Sequence, residues 1–393
     1  MADPVYFDYA ATAPLDARVA AAMAACLADP ALQANPSSGH AAGRAGASRV
    51  AVARAQVARL VNAPPEAVVF TSGATESVNL AVLGAVRAAG AGRRHVVTSR
   101  VEHRAGVEAC RQLEREGHEV TWLVPDRDGC LEAGQVASAL RDDTALVSLM
   151  HANNETGVLT DIAAVAGLCA QRGIALHVDA AQSAGRVPVD ASLPGIALLS
   201  FCAHKLGGPK GVGALYVRRR PRPALQPLQF GGGQERGLRP GTLATHQLVG
   251  FGLACEIAHA SLSVVAARTC ELRDRLWRGL QPAAPLWRNG AAEPALPGIL
   301  NVGFAGVEGE SLLLELDGAI ACSSGAACSS ATGEPSYVLR ALGRSDEAIQ
   351  ASLRLSLGSG TTVQEVDRAA AALVAAVARL RAVLPAGALE RIA

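Results

Sequence analysis

Short apolar runs alternate with longer, helically spaced ones through the first two-thirds of the chain. Val68–Phe70, His95–Thr98, Glu119–Val124, Ala145–Met150, Ile174–Val178, Leu198–Phe201 and Gly213–Val217 read as strands. Between several of them, Thr75–Ala89, Arg104–Glu116 and Ile162–Arg172 carry the spacing of helices. That alternation predicts an α/β domain with a mostly parallel sheet. In such sheets, ligand-binding groups gather at the carboxyl ends of the strands. The glycine- and proline-rich stretch Gly231–Gly241 breaks the pattern, and a long helical run follows from about Thr245 to Leu280. From about Leu296 the elements are shorter and mixed, ending in a helix. This remainder predicts a smaller α+β unit completed by the N-terminal segment. The expected division is a large domain over residues 15–258 and a small domain built from 1–14 and 259–393.

Composition narrows the picture. The chain has 393 residues, half of them hydrophobic, and a formal charge of +1. That length supports a large core. The charge gives no field that would draw DNA or a membrane surface. No uncharged apolar run of ~18 residues stands out, and the acidic, proline-containing N-terminus lacks the basic region of a signal peptide. A cytoplasmic location is the expectation. The nine cysteines are scattered and form no CxxC pair, which argues against a zinc site or a disulfide framework. The only lysines are Lys205 and Lys210, both in His204-Lys-Leu-Gly-Gly-Pro-Lys-Gly211. Side-chain amine chemistry must use one of them.

The chemistry-bearing motifs fall after predicted strands. Thr71-Ser-Gly-Ala-Thr-Glu76 opens a helix with small residues and hydroxyls, as a phosphate cradle or an ordinary helix cap would. Asp179, in His177-Val-Asp-Ala-Ala-Gln182, ends an apolar run. It could cap a helix or pair with a protonated ring nitrogen. Lys205 follows an apolar strand among small residues, where desolvation lowers an amine's pKa and favours Schiff-base chemistry. Lys210, between Pro209 and Gly211, is read as holding the turn. Cys322-Ser-Ser-Gly-Ala-Ala-Cys328-Ser-Ser is a run of small polar residues. It suits a mobile loop carrying a reactive thiol at Cys328, with Cys322 at the buried end of a strand.

Taken in order, the motifs FTSGATES, HANNETGV, HVDAAQS, HKLGGPKGVGALYVRR, GGGQERGLRPGT, SSGAACSS and EPSYVLRALG resemble those of the cysteine desulfurases. These are fold-type I enzymes of the class V aminotransferase group, and the likeness is to the iron–sulfur-cluster and nitrogen-fixation type. It runs from Tyr6 to about residue 385. The resemblance implies pyridoxal phosphate as cofactor, L-cysteine as substrate and Cys328 as the residue that carries sulfur away as a persulfide. It implies that Lys205 forms the Schiff base, Asp179 pairs with the pyridine nitrogen and Gln182 contacts the ring oxygen. His103 stacks on the ring and serves as acid or base. Ala74, Thr75 and His204 hold the phosphate, Asn154 touches cofactor and substrate, and Arg354 grips the substrate carboxylate. Thr242 reaches the phosphate of the other subunit in a homodimer. The sulfur passes to an acceptor protein such as an iron–sulfur scaffold, or toward thiolation of tRNA or a cofactor.

The chain departs from the family pattern in places. Cys202 stands where a serine is common at the phosphate, and a thiol is the poorer donor there. Ala203 replaces a glycine, Ala326 a loop serine and Pro240 a small residue, while Ser359-Gly360 stands for an arginine–aromatic pair. Only PAGALERIA follows Leu384, which puts docking of a scaffold in question. Two other readings stay open on sequence: a selenocysteine lyase or aminotransferase of the same fold, and a non-catalytic sulfur-carrying or docking partner.

Overall fold

The structure is a computed structural model that describes residues 4–90, 92–324 and 335–384. Its strands are β1 (Val5–Tyr6), β2 (Val68–Thr71), β3 (His95–Ser99), β4 (Glu119–Leu123), β5 (Thr144–Met150), β6 (Ala175–Asp179), β7 (Ile196–Cys202), β8 (Gly213–Val217), β9 (Leu286–Arg288), β10 (Ile299–Phe304), β11 (Ile320–Ala321), β12 (Ser323–Ser324) and β13 (Ser352–Ser356). Its helices are α1 (Ala17–Ala28), α2 (Ala41–Leu60), α3 (Ala74–Ala88), α4 (Arg104–Arg115), α5 (Ala133–Ala139), α6 (Ile162–Arg172), α7 (Thr245–Gly279), α8 (Gly309–Glu315), α9 (Tyr337–Ala341), α10 (Asp346–Gln350) and α11 (Val363–Ala382).

A seven-stranded sheet in the order β2-β8-β7-β6-β5-β3-β4 forms the centre. Only β8 runs against its neighbours, pairing antiparallel with both β2 and β7. Strands β5 and β7 are buried at every position. That is why they read as continuous apolar runs rather than alternating ones: helices cover both faces of a parallel sheet. Val96, Leu146 and Leu198 point into a core shared with α3 and α4. Their sequence neighbours Val97, Val147 and Leu199 point into the core on the opposite face, with α2, α6 and the start of α7.

Local chemistry fixes the helix ends. Asp161 caps α6 by accepting the Ala164 N–H, and Gly173 ends it with a left-handed φ of 62°. Thr362 and Glu365 form a reciprocal capping box at the start of α11.

A second sheet, β12-β13-β10-β9, is antiparallel throughout. It packs with α8 and α11 in a separate core that includes Leu300, Val302, Leu353, Leu355 and Leu373. The N-terminal segment closes this region: β1 pairs parallel with β11, and Phe7 joins its core. Each strand expected from sequence is present, with ends shifted by one or two residues. The long helical run is α7, 35 residues and about 52 Å long. Although no spanning run stood out in the sequence, α7 is long and apolar enough to cross a membrane by length and composition. Here Leu248, Phe251 and Cys255 pack in the large core, and Leu272 and Leu276 in the smaller one.

Candidate active site

The carboxyl ends of the parallel strands open into a cleft of about 550 Å³, a size that suits a small ligand. Ten of the residues singled out in the sequence line it: Ala74, Thr75, His103, Asn154, Asp179, Gln182, Cys202, His204, Lys205 and Arg354. Lys210 lines it too, so the cleft gathers both lysines of the chain. The Lys210 carbonyl also accepts from Gln247. Thr242 is exposed and does not line the cleft. Cys328 lies outside the described residues.

Each side chain arrives on its own element. Asp179 is the last residue of β6, between Met150 of β5 and Ser200 of β7. One of its oxygens accepts the Ala181 N–H at 2.9 Å, which tightens the following turn. Gln182 sits in that turn and donates to the Ala10 carbonyl, while its own oxygen accepts from Arg186. Lys205 follows β7. Burial lowers its pKa, and the charges of Cys202 and Asp179 only partly offset this. The amine therefore loses its proton more readily than a surface lysine does, as amine chemistry requires. Burial raises the pKa of Cys202, and the nearby Lys205 opposes the rise.

The two cleft histidines are neutral. Burial, then the charges of Lys205 and Lys210, push His204 down to about 4, and its Nδ1 lies 3.2 Å from the Thr12 hydroxyl. Burial also lowers His103, with Lys205 adding to the effect. His103 is the N-cap of α4, and its Nδ1 accepts the Ala105 N–H at 3.2 Å. The cap fixes the ring and assigns its proton to Nε2.

The anion cradle is the N-terminus of α3. Its N-cap Gly73 makes no side-chain capping bond, so the amides of the first turn remain available to a ligand. Glu76 in that turn is tied to the Ser72 N–H and to Arg239, which offsets its charge. Gly213 makes the close approach possible. A Cβ there would lie 2.7 Å from Gly73 Cα and 2.8 Å from the Phe201 carbonyl oxygen.

Pyridoxal phosphate is tested directly by this donor set. An amine of lowered pKa, a carboxylate at a strand end, an uncapped helix N-terminus and a guanidinium share one cleft of suitable volume. The residues fit the cofactor. Among the described residues no cluster could hold a metal ion.

Residues 5–369 match the family model described as Aminotransferase class-V. The chain belongs to this family. This class-V aminotransferase family member is 51% identical over 383 residues to cysteine desulfurase IscS of Aeromonas hydrophila, covering 97% of this chain and 95% of that protein. Among solved structures, a NifS-like protein matches with a TM-score of 0.88 and 32% identity over 97% of this chain and 100% of that one. SspA in complex with cysteine matches with a TM-score of 0.80 and 34% identity, over 91% and 99% of the two chains.

Sequence reasoning missed several supporting residues. Half-buried Arg186 donates to Gln182, to the Tyr9 carbonyl at 2.6 Å and to the Lys205 carbonyl at 3.4 Å. Burial lowers its pKa to about 10. Thr12 buttresses His204, and Asp8 pairs with Arg354 at 2.9 Å. Thr12 and Asp8 act on residues 192 and 346 positions away, and Arg186 ties Gln182, four residues before it, to the distant Tyr9 carbonyl.

Proposed function

We propose that the chain is a pyridoxal-phosphate-dependent cysteine desulfurase that converts L-cysteine to L-alanine and takes the sulfur onto Cys328. One observation carries the reading: the cleft at the carboxyl ends of the parallel strands gathers both lysines of the chain, and in it Lys205 is desolvated beside Asp179. When bound, pyridoxal phosphate supplies an aldehyde for the substrate amine and a ring that delocalises the charge left at Cα.

The protein's own residues do the rest. The α3 amides, Thr75 and His204 hold the phosphate, His204 as a neutral donor. Asp179 pairs with the ring nitrogen, and Gln182, pinned by Arg186, faces the ring oxygen. Arg354 and Asn154 fix the substrate carboxylate. Lys205, as a free amine, takes the Cα proton and returns a proton to the carbon skeleton. His103 packs against the ring with its Nε2 proton free to donate. The Cys328 thiolate attacks the substrate sulfur: an S–S bond forms as the C–S bond breaks, and its electron pair returns to the carbon skeleton. The balance is L-cysteine plus a Cys328 thiol giving L-alanine plus a Cys328 persulfide.

The protein works as a homodimer in which exposed Thr242 reaches the partner's phosphate. Its large domain spans 15–258, with 1–14 and 259–393 forming the small one. An acceptor protein in the cytoplasm takes the sulfur, for iron–sulfur assembly or thiolation. The likeness to proteins named for this activity supports these assignments.

The test is an absorption spectrum of the purified protein before and after L-cysteine, with sulfide and alanine assayed under reductant. A visible band that changes with cysteine, and sulfide equal to alanine, is the expected result. A band with no sulfide would move the activity to another amino acid. No band at all would overturn the proposal.

A further inference from the structure

Arg354 presents an unusual arrangement of donors. The residue is 2% exposed and sits on β13, where its register partners are Asn301 of β10 and Ser323 of β12. Nη1 donates to the Asn154 carbonyl at 2.9 Å. Nη2 donates to Asp8 Oδ1 at 2.9 Å and to the Ser323 hydroxyl at 3.1 Å. Nε is buried and has no partner among the described residues.

A guanidinium can grip a carboxylate with two parallel bonds along either of two edges, Nε with Nη2 or Nη1 with Nη2. Both edges use Nη2. Its two hydrogens are already committed, so a bidentate grip on an incoming carboxylate requires one acceptor to leave.

We propose that Asp8 is that acceptor: a resident carboxylate that holds Arg354 until the substrate's carboxylate takes its place, and so determines affinity for α-carboxylates. This rests on the desulfurase reading for the identity of the substrate. Three features favour Asp8 over Ser323. Its side chain is 22% exposed, so the released charge meets water. The Ser323 hydroxyl already donates to Asp8 Oδ1 at 2.8 Å and keeps it partnered after release. A substrate carboxylate beside Arg354 also repels Asp8 and not a hydroxyl. Asp8 does not itself line the cleft, so it steps back without blocking the substrate. Its role is specificity, exercised through Arg354 and not by contact with the reacting atoms.

The experiment compares the wild-type holoenzyme with Asp8→Asn. Asparagine keeps the shape and an acceptor oxygen but lowers the competitor from a charged to a neutral one. The KM for L-cysteine and the dissociation constant of L-alanine should each fall about fivefold, with kcat changed less than about twofold, since a charge-assisted bond is about twice as strong as a neutral one and the difference is worth about that factor in an equilibrium constant. Binding of cysteamine, which has the amine and thiol but no carboxylate, should not change. Asp8→Ser should move KM in the same direction and covers the case in which Asp8→Asn does not fold. An unchanged or raised KM for L-cysteine, or an equal shift for cysteamine, would overturn the proposal and make Asp8 a scaffold residue. Failure of the wild type to act on L-cysteine would instead sink the desulfurase reading, and L-alanine binding would still read the Asp8 effect.

Discussion

Replacing Glu102 by glutamine should make the protein's stability less sensitive to a rise in pH from 4.5 toward 8. Glu102 precedes His103 and is 2% exposed. The Ser99 hydroxyl donates to its Oε1 at 2.5 Å. Burial pushes its carboxyl from 4.5 up to about 8; the Ser99 bond opposes the rise and the nearby Asp179 charge adds to it. Between those two values the folded protein holds a proton that the unfolded chain has lost. The sign follows: the stability linked to this group is fully present below pH 4.5 and falls as pH rises toward 8. The slope is about 1.4 kcal/mol per pH unit, or about 3 kcal/mol between pH 5 and 7. Glutamine cannot titrate, and its amide can still bond to Ser99. Urea unfolding of the cofactor-free wild type and Glu102→Gln at pH 5, 6, 7 and 8 isolates the effect, because all other titrations cancel in the difference. The variant should gain about 3 kcal/mol relative to wild type from pH 5 to 7. A difference that does not change with pH would show that Glu102 is ionised in the fold. Glu102 would then place a second negative charge near Asp179, and Asp179 would no longer be the only anion beside the ring nitrogen.

Other substitutions probe the rest of the molecule. Lys205→Ala should abolish the visible absorbance of the cofactor, whereas Cys328→Ala should keep it and lose sulfur transfer to protein; loss of the band in both would end the separation of cofactor and sulfur roles. Gly213→Ala forces a Cβ against the Gly73 backbone, at a cost of about 1–3 kcal/mol. It should release pyridoxal phosphate on dialysis that the wild type survives. Glu235 accepts two bonds from Arg54 and one from the Phe70 N–H, and its side chain is 3% exposed. Glu235→Gln should destabilise the fold by about 3 kcal/mol in urea titrations, and a loss under about 0.5 kcal/mol would show that the pair contributes little.

Much of the large sheet could be read from the chain because its strands are buried on both faces. A run such as Ala145–Met150 holds one polar residue, Ser148, too few to make the solvent face a surface helix would need. The residues aimed into the cleft were legible for a related reason: motifs at strand ends place chemistry and geometry in the same few residues. What stayed hidden depends on contacts across the sequence. Nothing around Arg186 announces that it reaches the Tyr9 carbonyl, and nothing around Asp8 announces Arg354. Strands β9, β11 and β12 are two or three residues long, too short to show any period, and exist because of the partners they meet. The apolar character of α7 escaped notice because scattered polar residues break up its uncharged runs, although its mean hydropathy is high.

The pairing of the first strand with the last third of the chain has a consequence for synthesis. Asp8 and Arg354 are 346 positions apart. At ~5–20 residues per second, a ribosome takes roughly 17 to 70 s to travel between them. For most of that time Val5, Phe7 and Asp8 have neither β11 nor β13 to meet. The large sheet, whose strands lie between residues 68 and 217, can assemble meanwhile with Lys205 and Asp179 in place. On the proposed roles, a growing chain thus acquires the cofactor's half of the cleft well before it can hold a substrate carboxylate. The proposed grip on substrate is the last part of the machine to be completed, and a chain truncated before residue 354 never acquires it.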